Sequence, residues 1–121
     1  MPEQISKFYP VQVMTPPIGK QEREWSEMML WRNMNKSWQY QNGGVWPFIG
    51  SFYAMALKKI GKTNMAWQEL GHVAQANQVN NWQFNEWFHG KTGKPMGMPG
   101  QSWNAGTFLL AYHYLKGEVK V

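Results

Sequence analysis

Apolar residues recur at helical spacing in three stretches of this chain. Phe48, Phe52, Ala56 and Ile60 lie four apart, with Ile49, Tyr53 and Leu57 in the neighbouring row. Such rows mark one face of a helix. Trp46-Pro47 opens this helix, because Pro is favoured at the first helical position, and Gly61 after Lys58-Lys59 is a C-terminal cap. A second helix is expected after Thr63, a usable N-cap, with Ala66, Trp67, Leu70, Val73, Ala74 and Asn77 as its buried stripe. A third begins near Ser102. Trp103, Gly106, Thr107, Leu110, Ala111 and Tyr114 form one stripe, and Phe108, Leu109, Tyr112 and Leu115 make most of the remaining surface apolar too. A helix apolar nearly all round is normally covered on every side, and three helices are too few to cover it. The chain is therefore expected to be part of a larger assembly or an oligomer.

The rest of the pattern is less regular. Residues 1–20 read as an irregular or extended arm, with a short strand over residues 8–14 that Pro10 would confine to an edge. Trp25, Met28, Met29 and Arg32 suggest a short helix over residues 22–32. Tyr40-Gln41-Asn42-Gly43-Gly44-Val45 is a turn, because Asn and Gly tolerate positive φ. Lys91-Thr92-Gly93-Lys94 is a hairpin turn, and residues 95–100 are a loop. The fold class is mainly α: about three helices, long aromatic loops and a short β-hairpin in one domain over residues 1–121. A chain this long can bury roughly two-thirds of its unfolded surface.

The densest chemistry lies in Trp82-Gln83-Phe84-Asn85-Glu86-Trp87-Phe88-His89-Gly90. In an extended chain side chains alternate faces, which would set Glu86 beside Trp82, Phe84 and Phe88. A carboxylate on an aromatic face loses water, and that raises its pKa. General acids and bases are made this way, and aromatic faces are also what sugar rings stack on. The plainer reading is a surface Glu beside core aromatics. Both aromatic-polar segments, residues 38–46 and 82–103, precede apolar helices, and loops on a rigid scaffold commonly carry binding groups.

Composition removes several classes. The chain has no Cys, which excludes disulfides, thiolate metal sites and a Cys nucleophile. All seven acidic residues are Glu, so any mechanism needing an Asp fails in this chain alone. The net charge of +5 comes from scattered Lys and Arg rather than a basic run, which argues against nucleic acid. No apolar run approaches the ~20 residues needed to span a bilayer, and no signal-peptide pattern opens the chain. A cytoplasmic protein without membrane contact is the expectation. His72, His89 and His113 show no ligand spacing, so neither a metal nor another cofactor is expected. Ser51 and Ser102 lack a nucleophile motif.

Three motifs in order carry a resemblance. They are Tyr40-Gln41-Asn42-Gly43-Gly44-Val45-Trp46-Pro47, Phe84-Asn85-Glu86-Trp87-Phe88-His89-Gly90-Lys91-Thr92-Gly93 and Gly100-Gln101-Ser102-Trp103-Asn104-Ala105-Gly106. Over roughly residues 8–115 the chain resembles the C-terminal part of a group of (α/α)6-barrel glycoside hydrolases, the alkaline/neutral invertases and bacterial glycogen-debranching-type (amylo-α-1,6-glucosidase-like) proteins. The resemblance implies a partial barrel. It implies that Glu86 is one of two catalytic carboxylates, since it falls on the Glu of the invertases' Trp-Pro-Glu-Tyr-Tyr-Asp-Gly-like segment. It implies that Tyr40, Gln41, Asn42, Trp46, Asn85, Trp87, His89, Gln101 and Trp103 are substrate-binding. Asn85 replaces that segment's Pro and His89 its Asp, which is nearer the debranching-type branch. The partner carboxylate of the family, an Asp, lies in an upstream segment this chain does not contain. Glu69 reads as lying on the polar face of its helix, and Glu86 alone cannot serve both sides of a glycosidic bond.

Three functions fit this sequence. The first is a piece of a sugar hydrolase, inactive alone and completed by a partner segment or further copies. The second is a carbohydrate-binding module that keeps the pocket without hydrolysis. The third is a helical, oligomeric interaction protein.

Overall fold

The computed structural model describes residues 10–121. Three α-helices, α1 (Pro47–Lys59), α2 (Thr63–Trp82) and α3 (Ser102–Lys116), follow a 3-10 helix at Glu27–Asn33. A two-stranded antiparallel hairpin, β1 (Trp87–Phe88) and β2 (Pro95–Met96), lies between α2 and α3, with Phe88 opposite Pro95. The chain is mainly helical with a small hairpin.

Pro47 takes the first turn of α1, and Gly61 at φ +81° closes it. The Lys62 N–H reaches the Leu57 carbonyl at 2.8 Å and the Gly61 N–H the Lys58 carbonyl at 2.9 Å. These two bonds satisfy carbonyls the helix end would leave open. The connection to α2 is so short that Lys62, not Thr63, is the N-cap, and it makes no side-chain capping bond. At the far end of α3, Gly117 at φ +80° does the same work, with Gly117 and Glu118 N–H groups on Tyr114 and His113.

The three helices pack around Ala54, Met55, Leu57, Ala66, Leu70, Val73, Ala111 and Leu115. Each buried aliphatic side chain of Val or Leu size contributes about 1.5–3 kcal/mol. The inward stripe of α3 runs through Asn104, Ala111 and Leu115, with Phe108 partly covered. That corrects the stripe expected from spacing, because Trp103 and Leu110 lie on the exposed side. Leu109 is 56% exposed, and Leu110 and Tyr112 are exposed beside it, so the second apolar face of α3 is uncovered.

The short helix over residues 22–32 also needs correction. The 3-10 helix starts at Glu27, where Ser26 accepts from the Met28 N–H at 3.3 Å, and breaks at Trp31 (ψ 125°) and Arg32 (φ 53°). Met28 is 82% and Trp31 67% exposed. With no apolar face buried, nothing offsets the cost of nucleating a short α-helix. The strand expected over residues 8–14 falls partly outside the described residues. Within them Gln12 pairs with Val45.

Candidate functional site

Val45 is the pivot of the loop end. It bridges Gln12 on one side and Phe88 on the other. The Val45 N–H donates to the Phe88 carbonyl at 2.9 Å, and the Phe88 N–H returns the bond at 2.8 Å. Val45 and Phe88 are buried together with Ala76 of α2. Sequence-distant segments are thereby laid side by side against the helices.

The contact needs a residue without a Cβ. A Cβ on Gly90 would lie 1.8 Å from the Gly43 carbonyl oxygen. Across this contact the Gly90 N–H donates to the Trp38 carbonyl at 2.8 Å, and Gln12 Nε2 donates to the Gly90 carbonyl at 2.7 Å. Inside the turn Tyr40 takes φ +47° and its carbonyl accepts the Trp46 indole N–H at 2.9 Å.

The rings that result form a wall. Tyr40 meets Trp46 edge-on at 4.9 Å and Trp87 at 5.9 Å, while Trp46 and Trp87 stack at 6.4 Å and 21°. Phe48 continues the wall to Phe52 at 6.4 Å and to Trp103 at 5.9 Å. These separations are in the range that favours aromatic pairs.

The wall borders a cleft of about 390 Å³ lined by Tyr40, Gln41, Trp46, Phe48, Phe52, Glu86, Trp103 and Thr107. That volume is within the range of small-molecule sites. Among the described residues Glu86 is the only carboxylate in this lining. It is held by a reciprocal pair: its N–H donates to the Met98 carbonyl at 2.9 Å, and the Met98 N–H donates to its Oε2 at 3.0 Å. Gly97 allows the approach, because a Cβ there would lie 2.5 Å from Oε2 and 2.8 Å from the Trp87 indole edge.

The face alternation expected from an extended chain does not hold here. Trp82 and Phe84 have φ of +61° and +51°, so extension begins only at Trp87. Glu86 and Trp87 both border Gly97, and Phe88 is fully buried away from solvent.

Five of the ten candidate residues, Tyr40, Gln41, Trp46, Glu86 and Trp103, share the cleft. The other five are not in its lining. Asn42 is buried, accepting from the Ile18 N–H at 2.7 Å and donating to the Ile18 and Asn35 carbonyls. Asn85 is buried behind the cleft, and Trp87 backs its wall. Gln101 is the N-cap of α3, its N–H on the Phe84 carbonyl at 3.0 Å. His89 holds the hairpin turn, its Nδ1 accepting from the Lys91 and Thr92 N–H groups at 3.2 and 3.3 Å. Burial, then Lys91 and Lys94, lowers its pKa, which keeps the imidazole neutral at neutral pH. Phe48, Phe52 and Thr107 line the cleft without having been candidates. Their signal was spacing: Phe52 follows Phe48 by one turn, and Thr107 follows Trp103 by one turn, bonded to its carbonyl at 2.6 Å.

Glu69 lies elsewhere and is not on a polar face. It is 8% exposed, and its Oε1 accepts the Val11 N–H at 2.7 Å. Its Oε2 is 3.6 Å from His72 Nδ1. Burial is the largest influence and raises its pKa, against the Val11 bond and His72. Among the described residues no three His, Cys, Asp or Glu side chains are grouped as metal ligands. Nor is any helix among them long and apolar enough to cross a membrane.

One carboxylate against an aromatic wall is half of what glycoside hydrolysis uses, since that reaction sets two carboxyl groups either side of the bond. The chain is 26% identical over 112 residues to the probable alkaline/neutral invertase D of Arabidopsis thaliana, a match covering 90% of this chain and 20% of that protein. It is 27% identical over 105 residues to the mitochondrial alkaline/neutral invertase C of the same plant, covering 84% and 15%. It is 25% identical over 112 residues to cytosolic invertase 1 of Oryza sativa subsp. japonica, covering 90% and 19%. The chain thus spans about a fifth or less of the length of these relatives. The sequence profile of alkaline and neutral invertases matches residues 3–117, nearly the whole chain, which therefore belongs to that family of glycoside hydrolases.

Proposed function

We propose that the cleft takes a carbohydrate and that Glu86 is one of the two carboxylates of a glycoside hydrolase site. The observation that carries this reading is the meeting of Glu86 with Tyr40, Trp46 and Trp103, from three separate motifs, in one cleft. A sugar ring would lay its C–H face on the exposed part of Trp103 or Phe52, both 47% exposed. Gln41 and Thr107 would supply hydrogen bonds to its hydroxyls. Glu86 would then protonate the leaving oxygen or activate a water, the two tasks that a carboxyl pair divides.

The second carboxylate belongs to another polypeptide segment. Among the described residues Glu86 is alone in the lining, and about four-fifths of the relatives' length lies outside the part matched here. The chain by itself is thus expected to bind sugar without hydrolysing it. Turnover of sucrose, maltose or a nitrophenyl glucoside that disappears in Glu86→Gln would overturn this. A partial (α/α)6 barrel and a cytoplasmic location belong to the same reading. One relative is named cytosolic and another mitochondrial.

A second reading concerns association. Phe52, Tyr53 and Ile60 of the α1 region and Leu109, Leu110 and Tyr112 of α3 are exposed. Large exposed apolar patches on soluble proteins usually mark interfaces. In the absence of the remaining barrel, these faces are expected to pair copies of the chain. Light scattering at micromolar concentration tests it, and a stable 14.1 kDa species would contradict it.

A further inference from the structure

The segment carrying Glu86 is gripped from behind by the helices. Asn104 of α3 is fully buried, and its Nδ2 donates to the Asn85 carbonyl at 2.7 Å, at the peptide directly before Glu86. Asn77 of α2, equally buried, donates from Nδ2 to the Asn104 carbonyl at 3.4 Å. The Asn77 carbonyl in turn receives the Phe84 N–H at 3.5 Å. Just before Asn85, the Gln101 N–H donates to the Phe84 carbonyl and the Gly100 N–H to the Gln83 carbonyl. Glu86 is thus tied to Met98 at the cleft and, one residue back, to α3 in the interior.

The grip is made of groups that a core selected only for packing would not choose. Asn77, Asn85 and Asn104 are all buried. Asn77 Oδ1, Asn85 Nδ2 and Asn104 Oδ1 have no hydrogen-bond partner among the described residues. Buried polar atoms without partners are costly, and such costs concentrate where geometry matters for function. Position 104 faces inward on α3 along the same stripe as Ala111 and Leu115. An apolar residue there would pack without this cost, but only a donor can hold the Asn85 carbonyl.

We propose that Asn104 is a positioning residue, whose side-chain amide fixes the peptide before Glu86 and so keeps the carboxylate in the cleft wall. This rests on Glu86 being the site's carboxylate, and the experiment separates the two ideas. Asn104→Leu removes the donor and nearly keeps the shape, while Asn104→Ala removes both. Amide hydrogen exchange is followed at Glu86 and Met98, whose N–H groups make the reciprocal pair, and at Val73 in the helical core as a reference. In both variants Glu86 and Met98 are expected to exchange at least about tenfold faster, with Val73 changed by less than about twofold, as a local opening requires. Sugar affinity, read by tryptophan fluorescence with maltose, is expected to fall about tenfold in the same variants. Unchanged exchange at Glu86 and Met98, or an equal rise at Val73, would overturn the proposal. A readout that needs no variant stands beside these. In the wild-type chain the Asn104 side-chain amide protons must be protected, and exchange as fast as that of the exposed Asn64 side chain would also overturn it. Failure of the wild-type chain to bind maltose counts against the carbohydrate reading, while the exchange data still decide Asn104.

Discussion

Gly90→Ala is a demanding test of how the cleft is assembled. Gly90 does not have positive φ, so the substitution carries no intrinsic backbone penalty. Its cost is steric. The new Cβ would sit 1.8 Å from the Gly43 carbonyl oxygen, and must retreat by 1.2 Å merely to reach 3.0 Å, the closest such contact real Cβ atoms show. Both partners are backbone, so no side chain can swing aside. The retreat would pull the hairpin from the 38–45 turn and break the bonds from Gly90 N–H to Trp38 and from Gln12 to Gly90. The Val45–Phe88 pair beside them would stretch. A net value of about 1 kcal/mol for each bond gives a loss of about 2 kcal/mol for two bonds and about 4 kcal/mol for all four. For a chain of this length about 4 °C corresponds to 1 kcal/mol, so Tm should fall by about 8–16 °C. Far-UV circular dichroism on heating is the assay. Gly71→Ala is the control: it lies in α2, a Cβ there meets nothing within 4 Å, and the change should stabilise by about 0.4–1 kcal/mol. A Gly90→Ala chain that melts within about 2 °C of wild type would refute the close packing of hairpin on turn.

Two further outcomes follow from other contacts. Lys58 donates from Nζ to the Tyr114 carbonyl and, at 2.9 Å, to the Leu115 carbonyl, capping the C-terminal end of α3. Lys58→Met keeps the packed stem and loses the charge, so urea unfolding should show a loss of about 1–2 kcal/mol, and no loss would show the cap to be idle. Glu69 has a folded pKa raised above 4.5 by burial, so its contribution to stability is fully present below that value and is lost as pH rises through the folded pKa. Wild type should therefore lose ground to Glu69→Gln, which does not titrate and still accepts from Val11, as pH rises from about 4 to about 7, by about 1.4 kcal/mol for each tenfold by which burial tightens the carboxyl's hold on its proton. A stability difference that is flat across that range would contradict the buried carboxyl.

Much of this structure was legible in the chain because local chemistry and tertiary packing agree. Pro47 and Gly61 bracket α1 where their backbone preferences place them, and Lys91 to Lys94 turns the hairpin. Tyr40, Gln41, Trp46, Glu86 and Trp103 were singled out by motif and do share a cleft. What was not legible depends on groups distant in sequence. Glu69 reads as solvent-facing until the 10–14 segment crosses over it and Val11 takes its oxygen. The inward stripe of α3 was misplaced because nearly every side of that helix is apolar, so periodicity alone cannot choose a face. Period-two alternation failed at Glu86 because Trp82 and Phe84 turn left-handed, which no propensity of bulky aromatics foretells. Asn42 and His89 have the chemistry of ligand contacts, but the 35–45 turn and the hairpin turn use that chemistry on their own backbones.

The most direct test of the central claim is a nuclear magnetic resonance titration of the isotope-labelled chain with maltose and with sucrose. If the cleft is a sugar site, the shifts should concentrate on the backbone of Tyr40, Gln41 and Glu86 and on the Trp103 indole N–H, the groups that line it. They should leave Glu69 and His72, which do not line it, unmoved, and Trp103→Ala should weaken them by about tenfold, since aromatic contacts of this kind contribute on the order of 1 kcal/mol or more. Absence of shifts at millimolar sugar, or shifts gathered away from Glu86, would contradict the account.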